Sequence, residues 1–199
     1  MSNKIIVIQF ITVDGVVDDP DGSGDTPGGG WAYRFGLEAI SGDKFRLGAI
    51  LDTGVLLFGR GTWQAFSRRW PRRSDDFAAV MNRASKYVAS RTLDSVDAWS
   101  NSHLLRGEMV PAVEQLRAQR DIVVIGSTSL VHQLALAGVV DEYRLLVFPT
   151  VLGAGERLFA DGVSADLQLT SVDTAGPLVL LRFETERTAP PTVGRASCR

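Results

Sequence analysis

The run Lys4-Ile5-Ile6-Val7-Ile8-Gln9-Phe10-Ile11 constrains the fold more than any other part of the chain. It is β-branched and apolar at nearly every position, where a strand wetted on one face would alternate apolar and polar. It therefore predicts a central strand covered on both faces, the situation of predominantly parallel sheets. Parallel neighbours need helical crossovers, and the rest of the sequence supplies them. Val55 to Phe58, Lys86 to Ala89, Asp121 to Ile125 and Glu142 to Pro149 are further strand-like runs. Between them, Ser41 to Gly54 is predicted as a helix of about three turns, with Ser41 as N-cap and Asp43 in its first turn. Ser74 to Lys86, Val110 to Gln119 and a segment from Ser127 or Thr128 to Gly138 are predicted as further helices. Leu167 to Asp173 and Leu178 to Glu184, joined by Ala175-Gly176-Pro177, predict a closing hairpin. The expectation is an α/β fold of three layers: a central mixed, mostly parallel sheet, helices on both faces, and a C-terminal antiparallel hairpin.

At 199 residues, 45% hydrophobic and 22% charged, the chain has the length and apolar content of one domain. That domain is expected over residues 1–187, with a flexible tail over 188–199. A formal net charge of -2 supplies no global field for nucleic acid or an anionic membrane. No apolar stretch approaches the roughly 20 residues of a membrane span, and the N-terminus enters its first strand without a signal-peptide pattern. The single cysteine, Cys198, allows no intrachain disulfide. A cytoplasmic protein without nucleic-acid or membrane partners is the expectation. His103 and His132 have no ligand-spaced Cys or carboxylate near them, so no metal site is expected.

Three strand ends carry residues that packing does not require: Gly59-Arg60-Gly61-Thr62, Ser90-Arg91-Thr92 and Gly126-Ser127-Thr128-Ser129. Glycine allows close backbone approach, hydroxyls donate to phosphate oxygens, and a helix start offers free N–H groups to an anion. Arg60 and Arg91 add two fixed charges suited to phosphate. Turns also use Gly, Ser and Thr for conformational reasons alone, so each segment has an ordinary reading as well. Neither a G-x-G-x-x-G fingerprint nor a P-loop is present.

Asp18 to Gly30, rich in Gly, Asp, Pro and Ser, predicts a long mobile loop. Beyond it, Trp31 and Phe35 are candidates to stack on a ring, or to anchor the loop. Arg68-Arg69-Trp70-Pro71-Arg72-Arg73 is predicted as a solvated turn, with nucleic-acid contact or a substrate phosphate as the other readings.

Val13-Asp14-Gly15, Leu57-Phe58-Gly59-Arg60-Gly61-Thr62-Trp63, Val88-Ala89-Ser90-Arg91-Thr92-Leu93 and Ile125-Gly126-Ser127 follow successive strands in an order that resembles the dihydrofolate reductase superfamily. Val139-Val140-Asp141-Glu142-Tyr143, then Phe148-Pro149-Thr150-Val151-Leu152-Gly153-Ala154-Gly155 and Leu158-Phe159, are similar to the branch holding the reductase domain of bacterial riboflavin biosynthesis. The resemblance spans roughly residues 4 to 186. It implies hydride transfer from NADPH to a small heterocycle or an aminopyrimidine ribose-phosphate-like substrate. Gly59, Arg60, Gly61 and Thr62 would then hold the phosphates, Ser90 and Arg91 the adenosine 2′-phosphate, and Gly126, Ser127, Thr128 and Ser129 the pyrophosphate. Residues from Asp14 to about Gly30 would form a lid with Val17 near the nicotinamide. Asp43 falls where the folate enzymes carry their substrate-gripping carboxylate, although an Asp in a first helical turn is equally at home without a ligand. The superfamily often has a second glycine where this chain has Ser127. A homodimer is implied by the same branch. A non-catalytic protein that binds or sequesters a small ligand, or a flavin-binding member of the fold, is the alternative.

Overall fold

β1 (Ile5–Thr12) pairs in parallel with β5 (Ile122–Ile125) on one side and β6 (Glu142–Phe148) on the other. Its burial on both faces follows from the apolar run that forms it. The computed structural model describes residues 2–186, so the expected tail and Cys198 lie outside the described residues. β2 (Val55–Gly59), β3 (Ser85–Ala89) and β4 (Ser102–Leu105) extend the parallel part beyond β5. β8 (Leu178–Thr185) runs antiparallel to both β6 and β7 (Leu167–Ala175). The sheet order is β4-β3-β2-β5-β1-β6-β8-β7, the mixed α/β architecture expected from the sequence.

Strand periodicity divides the apolar residues between two cores. Ile6, Ile8, Leu56, Phe58 and Val123 face one side, against Trp63 of α3 (Arg60–Arg69) and Ala78 and Met81 of α4 (Asp76–Arg83). Ile5, Val7, Val55, Leu57 and Val124 face the other, against Val113 of α5 (Met109–Arg117) and Leu130 and Leu134 of α6 (Thr128–Leu136). Each buried Val, Leu, Ile, Phe or Met side chain among these contributes about 1.5–3 kcal/mol to the driving force.

Four local expectations are corrected. The predicted helix from Ser41 to Gly54 shrinks to a single turn, α2 (Gly48–Leu51), preceded by another single turn, α1 (Leu37–Ile40). Asp43 accepts from the Leu47 and Gly48 amides at 2.7 and 2.8 Å, and Arg46 turns left-handed at φ 54°, so the N-cap of that turn, Leu47, lies six residues beyond the expected Ser41. The helix predicted from Ser74 is Asp76–Arg83, capped by Asp75, whose carboxylate accepts from Ala78 N. β4 was not expected, because its Ser102-His103 start lacks an apolar strand signature. Arg68 to Arg73 is helical rather than a loop: it closes α3 and forms a 3-10 turn (Trp70–Arg72), and while Arg68, Arg72 and Arg73 are exposed as expected, the Trp70 ring is buried against Phe66 and Phe77.

Asp18 to Gly30 is knit together locally. The Asp19 carboxylate accepts from Gly24 N, Thr26 N and Thr26 Oγ1, and the Asp19 carbonyl from Gly22 N and Gly30 N. Asp21 pairs with Arg69 at the end of α3.

Candidate functional site

β2 ends at Gly59 and α3 begins at the next residue, with no loop between them. β5, the neighbour of β2 in the sheet, ends at Ile125. Gly126 and Ser127 follow with φ 57° each, two consecutive left-handed residues that reverse the chain into α6. Parallel pairing of the two strands thus sets their C-terminal turns side by side. The Ser127 hydroxyl does not cap its own helix. It accepts from Gly59 N at 2.8 Å and donates to Thr62 Oγ1 at 2.8 Å.

The approach of the two turns is close. A Cβ on Gly59 would lie 3.1 Å from Ser127 Oγ, and one on Gly126 would lie 3.3 Å from Thr62. Glycine suits Gly126 on both counts, the tight approach to Thr62 and the positive φ. On the other flank of β2, β3 ends at Ala89, in register with Gly59. There the Ser90 hydroxyl folds the turn by accepting from Thr92 N and Leu93 N. Arg60 Nη1 reaches across to Thr92 Oγ1 at 2.9 Å. The three segments singled out in the sequence therefore adjoin, because the sheet order places β3, β2 and β5 consecutively. Thr92, outside the expected contact set, is the residue that joins the third turn to the other two.

The donors gathered here suit a polyanion. Arg60 and Arg91 are exposed, as is Gly61, whose Cα has open space where a side chain would stand. Thr128 and Ser129 begin α6, and the first amides of a helix have no intrahelical acceptor. Two cations, hydroxyls and helix-start amides on a glycine floor fit a coenzyme bearing a pyrophosphate and a 2′-phosphate.

The residues expected around a nicotinamide and its substrate sit differently. Val17 is buried, and its amide donates to Glu156 O at 2.9 Å. Trp31 is fully buried, its indole N–H donating to Asp18 O at 2.7 Å and its ring edge-on to Phe148 at 5.1 Å. It anchors the loop. Phe35, half-buried, also packs on Phe148, at 5.5 Å. Both Asp43 carboxylate oxygens are engaged by backbone amides, as described above.

A second lock closes the opposite side of the strand ends. Asp14 accepts from Thr12 Oγ1 at 2.6 Å and from Gly153 N at 2.8 Å. The Thr12 hydroxyl foremost, then the Gly153 and Leu152 amides, hold its carboxyl down at about 2. Arg157 donates to the Asp14 carbonyl, and Val16 bridges to Arg157. Along the outer face of α3, two adjoining cavities of about 480 and 500 Å³ share Arg68 and Arg72. Among the described residues there is no His, Cys, Asp and Glu group that could hold a metal, and no helix long and apolar enough to cross a membrane.

An α/β domain whose three adjoining strand ends gather hydroxyls, two arginines and a helix start is the class these observations define. The chain belongs to the RibD C-terminal domain family, whose model matches residues 3–181. It is 28% identical over 178 residues to the uncharacterized protein YyaP of Bacillus subtilis (strain 168), covering 86% of this chain and 87% of that one. A putative riboflavin biosynthesis protein from Shewanella sp. PV-4 has the same fold, with a TM-score of 0.71 at 20% identity over 94% of this chain and all of that one. So does a pyrimidine reductase-like protein from Corynebacterium diphtheriae, with a TM-score of 0.59 at 12% identity over 94% and 93% of the two chains.

Proposed function

We propose that the protein is an NADPH-dependent reductase acting on a small nitrogen heterocycle or an aminopyrimidine ribose-phosphate-like substrate. The observation that carries this reading is the joining of three strand ends through Gly59, Ser127 and Thr62 on one side and Arg60 and Thr92 on the other. Bound there, NADPH supplies the hydride. Arg60 and Arg91 would take the 2′-phosphate, with Ser90 shaping their turn. Thr62 and the start of α6 would take the pyrophosphate, through donors already fixed by the protein. The loop from Asp14 to Gly30, tied to α3 by Asp21 and Arg69, stands as the cover that excludes water. Arg68 near the end of α3 and Arg72 in the 3-10 turn that follows it suit an anionic substituent on the substrate.

A calorimetric titration tests the cofactor: one NADPH per chain, bound more tightly than NADH, is the expected result. Heat-free titration of folded protein at high micromolar NADPH would exclude it. A second reading is favoured by the Asp43 carboxylate, which is consumed by the Leu47 and Gly48 amides rather than offered to a ligand. On that reading the protein binds or sequesters a small molecule without reducing it. NADPH binding without oxidation across pteridines, aminopyrimidines and simple carbonyls would select it. A flavin in place of NADPH would show as a yellow purified protein.

The proposal includes a homodimer and a cytoplasmic location. β7 is an edge strand that exposes Leu169 and Val172, at 52% and 56%, which supports self-association. Light scattering reads the mass directly.

A further inference from the structure

Ser127 takes a backbone conformation that disfavours every residue type but glycine and, less severely, Asn and Asp, at φ 57° and ψ 59°. Its side chain gives α6 no cap in return. The hydroxyl points away from its own helix into a relay: the Gly59 N–H donates to Ser127 Oγ, and the Ser127 O–H donates to Thr62 Oγ1, both at 2.8 Å. Thr62 Oγ1 thereby accepts one hydrogen bond. Its own proton has no protein acceptor among the described residues, and the side chain stands in the first turn of α3 against Gly126. A chain of hydrogen bonds polarises each member toward the next, so the last hydroxyl is the strongest donor of the series. An oxyanion at the mouth of the Gly126 turn is the acceptor such a relay lacks.

We propose that Ser127 is a positioning residue, which orients and polarises Thr62 as a donor to a pyrophosphate oxygen of the coenzyme. Resting on the NADPH reading above, the inference gives this chain's hydroxyl a purpose where the superfamily often has a second glycine. Ser127 acts through Thr62, and its effect is confined to the pyrophosphate.

The test measures affinity for NADPH and for adenosine 2′-monophosphate, which carries the 2′-phosphate but no pyrophosphate. The proteins are the wild type, S127A, S127G, T62V and the S127A/T62V double variant. S127A, S127G and T62V should each weaken NADPH about tenfold, the scale of one charge-assisted hydrogen bond, and leave the monophosphate within about twofold. The double variant should be no weaker than T62V alone, because the hydroxyl of Ser127 has nothing left to orient. Three outcomes would overturn the role: additive losses in the double variant, wild-type NADPH affinity in S127A or S127G, or an equal loss of the monophosphate, which marks a collapsed cradle. Failure of the wild type to bind NADPH would instead remove the reductase reading and this inference with it.

Discussion

Lys86 Nζ lies 4.6 Å from the centre of the Trp99 ring, wholly inside the protein. It donates to the carbonyls of Asn82 and Ala84 at 3.1 and 2.6 Å, closing the C-terminal end of α4, while Trp99 Nε1 donates to Asn82 Oδ1 at 2.7 Å. The ammonium thus replaces water with two carbonyls and a π face, contacts that offset part of the cost of its burial.

Burial brings Lys86 down from 10.5 to about 8. Between these values the unfolded chain binds the extra proton, so stability should rise as pH increases from about 8 toward 10. Above 10 the sign reverses, because burial holds the Tyr143 phenol up to about 12 and the unfolded chain loses that proton first. Urea unfolding across pH 7 to 11 should show this rise in the wild type and lose it in Lys86→Met. An equal rise in both proteins would assign it to another group.

Asp14 titrates in the opposite sense. Its carboxyl, held at about 2, adds stability that is complete above the ordinary value of 3.8 and disappears as pH falls through 2. Asp14→Asn should lower Tm at pH 6, speed hydrogen exchange at Leu152 and Gly153, and draw toward the wild type as pH falls from about 4, converging only near pH 2 and below. Unchanged exchange at these two amides would show that Asp14 does not secure the segment after β6.

Asp43 is tied to the Leu47 and Gly48 amides, so Asp43→Ala should cost about 1 kcal/mol of stability, and Asp43→Ser should recover most of it. Thermal or urea unfolding of the pair decides. If Asp43→Ser remains as unstable as Asp43→Ala, the carboxylate has a role beyond capping. If it is stable yet abolishes NADPH oxidation, the carboxylate belongs to the chemistry.

How much of this was legible in the sequence follows from the range of the forces involved. The strand of Ile5 to Thr12 and the closing hairpin announce themselves, because burial on both faces and turn residues leave local signatures. The helix starting at Arg60 was obscured by Gly59 and Gly61, whose poor propensity is overridden by burial of Trp63. Trp70 similarly turns an arginine-rich stretch into a packed helix end. At the cradle, the three segments could be named, but their bonds could not. Gly59 and Ser127 are 68 residues apart, and only the pairing of β2 with β5 brings them together. Lys86 left a faint signal, a charge at the same strand parity as the buried Val88. Its partner Trp99 comes from outside the strand, so the cation site itself had no local signature.

The central claim is that three separate turns form one seat for NADPH. Backbone amide chemical-shift perturbation of the labelled protein during NADPH titration tests it most directly. The largest shifts are expected in all three segments, at Gly59 to Thr62, at Ser90 to Leu93 and at Gly126 to Ser129, moving with a single dissociation constant. Shifts confined to one segment, or centred instead on Arg68 and Arg72, would contradict it.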